Sequence, residues 1–267
     1  MARRLTTTKT KTNTGKRSIV DPSMATSMRL LLAAERLIAD EGVAQVSMRR
    51  INIEAGTGNI SAVHYHFGSL ERVVEAIFAL RVPTLDARRN DLLDEMGGRQ
   101  GPTSVNDVLQ AVVWPLAEQM LEGAPDNCYL RFLANVNRVP SFDMRTFLRH
   151  RHRRGLTRCY VLLRRAFPTV PKDVLHARIM LGWREVIYTL ADVDLMIRAR
   201  HPKLRDPLVM FHTTDLITRI SVALGAPISE ATQLARRALL SKSASEKGTV
   251  FGMDSIWAPN PIRDPAA

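Results

Sequence analysis

A chain of 267 residues, 45% of them hydrophobic, can bury one large core or two modest ones, which argues against global disorder. Its 38 Lys and Arg against 26 Asp and Glu leave a formal charge of +12, a balance that suits a polyanionic partner, most simply nucleic acid, although a merely basic protein has the same composition. Only two cysteines occur, Cys128 and Cys159, with no CxxC pair and no apolar run long enough to span a bilayer, so a disulfide framework, a zinc site and a membrane partner are not expected, and a reducing cytoplasm is.

Residues 1–24 open with six basic residues (Arg3, Arg4, Lys9, Lys11, Lys16, Arg17) and no acidic one in the first twenty, and they have no apolar core of a secretory signal. Such an arm is expected to be disordered in isolation, either lying along phosphates or remaining a solvated tail. From Thr26 a helical period begins: Leu30, Leu31, Ala34, Leu37 and Ile38 share one face, and Gly42 is placed to end the helix. Ser47 stands where an N-cap belongs, ahead of a second helix over 48–55.

Gly56, Thr57, Gly58 and Asn59 form a turn, because two glycines and an asparagine disfavour a continuing helix. A short helix is expected over 60–67, closed by Gly68, with Ser69 capping the next one. That fourth helix carries Val73, Val74, Ile77 and Phe78 as its stripe; Pro83 should kink or interrupt it before it resumes to Gly97 and Gly98. The segment 97–104 reads as a linker. Helical blocks follow near 105–122, 126–138, 142–167, 172–200, 206–224 and 229–243, with no strand alternation and no repeat. The fold expected is all-α: a three-helix helix-turn-helix unit over 25–82, joined by a long kinked helix to a larger helical unit over 83–246, then a loosely ordered tail over 247–267.

Helix, glycine-bearing turn and short helix make a helix-turn-helix, whose second helix needs small residues for close approach and hydrogen-bonding groups on one side. Ser61, His64 and Tyr65 serve that side, while Ile60, Val63 and Phe67 can pack inward and His66 is expected half-buried. A metal site does not fit, since His64 and His66 are two apart and point to different helix faces. Nor does a phosphate loop, which needs a preceding strand and a Lys-Ser/Thr pair. No nucleophile-base constellation and no cofactor fingerprint is present, so neither catalysis nor a cofactor is expected.

Over residues 29–78 the chain resembles the DNA-binding domain of the TetR family of bacterial repressors. The resemblance is carried by Leu30, Leu31, Ala33, Ala34, Leu37, Ile38 and Gly42, then Ser47-Met48-Arg49-x-Ile51 and Ala55-Gly56, then Tyr65-x-Phe67-Gly68-Ser69. It implies that Ser47 and Arg49 bind phosphates and that Ser61, His64, Tyr65 and His66 lie at or near DNA. The family's frequent Lys after the Ser that opens the fourth helix is Leu70 here, and the turn is one residue longer than the commonest spacing, which leaves Asn59 to cap the short helix or to meet a base.

The resemblance further implies a homodimer on a pseudo-palindromic operator in double-stranded DNA, released by a small effector held in the C-terminal unit. The Pro168 to Pro171 element and the helix after it faintly resemble fatty-acid-responsive members. Trp114, Phe132, Phe147, Met180, Trp183 and Tyr188 could line an apolar cavity for an apolar or amphipathic effector, or be plain core. The stretch 145–165 holds eight arginines and is either a solvated face or a surface for an anionic ligand. The helices near 172–200 and 206–224 are the candidate dimer interface. A constitutive DNA-binding regulator without a ligand switch is the alternative.

Overall fold

In the computed structural model, helix α1 (Pro22–Glu41) buries Leu30, Ala34, Leu37 and Ile38 on one side, and the Gly42 N–H closes it on Ile38 O at 3.0 Å. The structure describes residues 22–59, 61–98, 104–121, 127–139, 142 and 154–246. The arm over 1–20, the tail over 247–267, Ile60, Phe147 and most of the arginine-rich stretch before Arg154 lie outside them.

A short 3-10 turn leads to α2 (Met48–Glu54), then α3 (Ala62–Phe67) and α4 (Leu70–Gly97). Ser47 and Ser69 cap α2 and α4, their hydroxyls accepting the N–H groups of Arg50 at 3.2 Å and Arg72 at 3.3 Å. Helix α4 runs through Pro83 without interruption. An internal proline costs about 3 kcal/mol. Ile77, Phe78, Val82 and Leu85 are buried around it and each contributes about 1.5–3 kcal/mol, so packing wins. The expected boundary between residues 82 and 83 therefore falls inside one continuous helix.

Beyond it come α5 (Val105–Leu121), α6 (Tyr129–Asn137), α7 (Arg154–Ala166) and α8 (Lys172–Arg198). Helices α9 (Arg205–Gly225) and α10 (Glu230–Glu246) follow. The described residues contain no strand, and none of their helices is long and apolar enough to cross a membrane.

One apolar core runs unbroken from Leu30 in α1 to Leu224 in α9. Helix α1 packs on α6 as well as on α2 and α4, so the N-terminal unit is seated on the larger one. Helix α5 sits among α4, α7 and α9, and α8 packs between α6 and α9. Helix α10 stands apart with Leu234, Leu239 and Leu240 exposed, tied to α8 by the ion pair between Arg236 and Asp173.

Candidate nucleic-acid interface and apolar pocket

The turn between α2 and α3 is built around a buried asparagine. Asn52, 1% exposed, donates its Nδ2–H to Met48 O at 3.0 Å and accepts the Val63 N–H on Oδ1 at 3.0 Å. That contact satisfies a buried donor near the start of α3 and fixes its first turn against α2. Gly56 supplies the positive φ of +61° that the chain needs to leave α2, a conformation costly for a residue with a Cβ. The Thr57 hydroxyl lies 3.1 Å from Asn52 O, and Asn59 Oδ1 accepts the Ser61 N–H at 2.9 Å. Asn59 thus spends its side-chain oxygen on the turn, and α3 starts at Ala62, two residues later than the turn composition predicts.

Held in this way, α3 buries Ala62 and Val63 and half-buries Phe67 and His66. Its other side carries Ser61, His64 and Tyr65, all exposed, with the Tyr65 side chain 86% accessible. The Tyr65 ring meets the edge of His66 at 5.4 Å, which orients the phenol outward. Tyr65 thus presents an apolar ring with a polar tip to water from a helix that is firmly seated. Ser47 and Arg49, both exposed, stand at the start of α2. Arg49 has no ion pair among the described residues, whereas Arg50 is bound to Glu41 at 3.2 Å and Arg72 to Glu75 at 2.9 Å. The structure thus brings Ser61, His64 and Tyr65 together on one face, and it leaves His66 partly inside.

The seat of this unit on the rest of the molecule is polar and cross-linked. The buried Glu35 of α1 accepts both Arg81 Nε–H at 3.0 Å and Nη2–H at 2.9 Å from α4, and the same guanidinium lies 5.9 Å over the Tyr129 ring of α6. Burial raises the Glu35 carboxyl and outweighs the opposing pull of Arg81. Asn135 Nδ2 donates to Ile38 O at 2.9 Å and Ala39 O at 3.0 Å, capping the C-terminus of α1. Arg131 pairs with Asp40 of α1 and, through Nε at 3.0 Å, with Asp194 of α8. No motif marks Asn52, Arg131 or Asn135; the one signal open to sequence was a polar residue at a position whose helical neighbours are apolar.

Of the six aromatic and Met residues expected to line one cavity, the five that the structure describes do not gather. Phe132 is buried and stacks on Tyr129 at 5.9 Å. Tyr188 accepts from Asn137 at 3.3 Å under the Arg138 guanidinium, and Trp114 and Met180 are half-buried core. Phe147 lies outside the described residues. Of the five described, Trp183 alone reaches the pocket formed between α5, α7, α8 and α9 and lined by Leu109, Leu163, Ile179, Val186 and Ile220 among others. The cavity has a volume of about 30 Å³, opens to solvent, and its wall is almost wholly apolar. Periodicity could not separate pocket from core, because both use the same residue types at the same spacing.

Among the described residues no three His, Cys, Asp or Glu side chains converge as metal ligands. The comparison with family models matches residues 30–77 to the bacterial regulatory proteins of the tetR family and residues 110–220 to a tetracyclin repressor-like C-terminal domain. No curated protein matches the chain. The first match runs from Leu30 in α1 to Ile77 in α4 and includes the whole exposed face of α3, and the second takes in the pocket residues from Val112 to Ile220.

Proposed function

We propose, for a chain that belongs to the TetR family of DNA-binding transcriptional regulators, a homodimeric repressor that reads a pseudo-palindromic operator and is released by a small apolar or amphipathic effector. The observation that carries the DNA half is the outward face of α3, with Tyr65 86% exposed above a helix locked by Asn52. Ser61, His64 and Tyr65 meet base edges in the major groove; Ser47 and Arg49 meet phosphates at the start of α2. Asn59 serves the turn instead of a base, and His66 supports the ring of Tyr65 from the side.

The dimer reading rests on surplus apolar surface. Leu181 on α8 and Met210, Phe211 and Val222 on α9 are between 45% and 69% exposed, a large share of apolar surface to leave in water. A second copy covers it when α8 and α9 complete a four-helix bundle across a two-fold axis. That axis places two α3 helices in successive major grooves, roughly 34 Å apart.

The pocket favours a ligand-responsive regulator over constitutive binding, because it lies against α8. From α8 the ion pair of Asp194 with Arg131 leads through α6 to Asp40 at the end of α1. An occupant that shifts α8 changes the seat of α1, and with it the separation of the two α3 helices.

Selection of bound duplexes from a random DNA pool with the full-length protein tests this reading. A two-fold symmetric motif is expected, bound less well by Arg49→Ala on every sequence and with a shallower salt dependence. Tyr65→Ala should lose discrimination at a few positions per half-site. Retention of random and selected duplexes with equal affinity would remove the operator-binding reading.

A further inference from the structure

Helix α10 carries Ala231, Leu234, Ala235, Ala238 and Leu239 at three- and four-residue spacing, one apolar stripe along its length. All five are exposed, Leu234 by 57% and Leu239 by 39%. Among the described residues no other helix packs along α10, and the ion pair of Arg236 with Asp173 ties it to α8. A helix draws most of its stability from burying such a face, so a 17-residue helix with its stripe in water lacks its partner. Successive residues turn about 100° round a helix, which sets Arg236 about 130° from the middle of the stripe. With Arg236 held by α8, the stripe is directed away from its own chain.

The stripe is also symmetric, because Leu234-Ala235-Arg236-Arg237-Ala238-Leu239 reads the same in both directions. A two-fold axis passing between Arg236 and Arg237 sets α10 antiparallel to its copy, with Leu234 against the partner's Leu239 and Ala235 against the partner's Ala238. A contact across a two-fold must be self-complementary, and this order of residues is. The alanines let the two backbones approach while the leucines fill the seam. Arg236 and Arg237 turn to either flank, each about 130° from its middle. The place fits as well. Helix α10 follows α9 at the end where Arg178 Nη1 donates to Leu224 O at 2.9 Å, and the exposed Leu181 of α8 and Val222 of α9 lie within a turn of that bond.

We propose that α10 pairs antiparallel with α10 of a second copy of this chain through the Leu-Ala stripe. A single pair of helices buries less than the roughly 800 Å² per partner of a stable interface, so the pair adds to the α8–α9 contact about the same two-fold axis and rests on that reading. It forms only while the Arg236–Asp173 tie directs the stripe outward. Helix α10 lies beyond residue 220, where the second family match ends, so the pair belongs to this chain and not to the matched domain.

Cys128 and Cys159 are both buried, so a cysteine placed on the stripe is the reactive one. Full-length Ala235→Cys and Ala238→Cys proteins, mixed, allowed to exchange subunits and oxidised, should give several-fold more disulfide-linked dimer than either alone, since a disulfide needs Cα atoms roughly 4.4–6.8 Å apart. Sedimentation equilibrium should show the dimer dissociation constant raised at least about tenfold when Leu234→Glu and Leu239→Glu are combined. Gln233→Glu, on the opposite side of α10, should leave it unchanged. As much linkage in Ala235→Cys alone as in the mixture overturns the pairing, as does a loss of dimer in Gln233→Glu equal to that of the leucine variant. So does a leucine variant that dimerises like the wild type, with no linkage in the mixture, which leaves the stripe to residues 247–267 or to another protein. Phe211→Glu separates the two contacts. Dimers that dissociate in Phe211→Glu but not in the leucine variant keep the α8–α9 contact and remove the α10 pair, whereas a monomeric wild-type protein removes both.

Discussion

Asn52 Oδ1 accepts the Val63 N–H at 3.0 Å in a contact shielded from water, and through it α2 sets the position of α3. Asn52→Ala leaves the Val63 N–H buried and unpaired, a cost of about 1–3 kcal/mol. The urea midpoint should fall accordingly. DNA affinity should fall further than stability alone explains, because α3 loses its fixed first turn while Tyr65 and His64 remain present. Wild-type affinity in a variant with a lowered urea midpoint would show that α3 is positioned by its apolar side alone.

Much of this fold was legible in the residues, and the limits have physical causes. The stripe Leu30, Ala34, Leu37 and Ile38 located α1, and Ser47 and Ser69 announced the starts of α2 and α4, since caps and periodicity are local signals. Pro83 signals a kink or break through its lost hydrogen bond, whereas the burial of Val82 and Leu85 that offsets it is set by distant parts of the chain. Tyr65 was legible as an outward residue from its place opposite Val63. Arg89 and Arg131 were not: Arg89 is one more arginine on a charged helix, and Arg131, the one charged side chain of α6, meets carboxylates that lie 91 residues before it and 63 after it. The pocket had the same difficulty: Trp183 reaches it, but Met180 and Tyr188 turn to other sides of the same α8.

Arg131 joins α1 to α8, and its removal should be felt as a coupling. Burial works against its charge, but Asp40 and Asp194 together hold the guanidinium above its ordinary value. Asp194 is nearly buried and keeps Arg198 at 2.9 Å when Arg131 is lost. Arg131→Met should therefore cost about 1–3 kcal/mol, less than the 3–5 kcal/mol expected when a buried charge is left with no partner. A double-mutant cycle with Asp194→Asn, read by thermal unfolding, should return a coupling energy above about 0.5 kcal/mol. Strict additivity would mean that the bridge carries no energy between α6 and α8.

Gly155 is held where a side chain does not fit. An added Cβ would lie 2.8 Å from Arg89 Cβ and 3.0 Å from Asp86 Oδ1, so α7 approaches α4 as closely as backbone allows. The helix preference for alanine over glycine returns at most about 1 kcal/mol, whereas forcing atoms into a filled core costs about 1–3 kcal/mol. The clash should win. Gly155→Ala is expected to lower the melting temperature by several degrees; a rise would show that α7 can move away from α4 at little cost.

Helix α10 offers a pH test with a definite sign. Burial acts to raise the Asp173 carboxyl, but the hydrogen bond and charge of Arg236, with the backbone amides at the start of α8, outweigh it and hold the group below its ordinary value. A carboxyl whose folded-state value is depressed contributes stability above its unfolded value, near 3.9, and that contribution is lost as pH falls through the folded value. The tie between α10 and α8 should therefore be intact at neutral pH and weaken only below about pH 4. Amide exchange, corrected for the intrinsic rate at each pH, should show protection in α10 falling over that range while buried turns of α8 around Leu190 stay protected. Arg236→Ala should abolish the α10 protection already at pH 7. Protection of α10 that is unchanged in Arg236→Ala at pH 7 would show that Leu234, Leu239 and Leu240, exposed in a single chain, are held in place by other contacts.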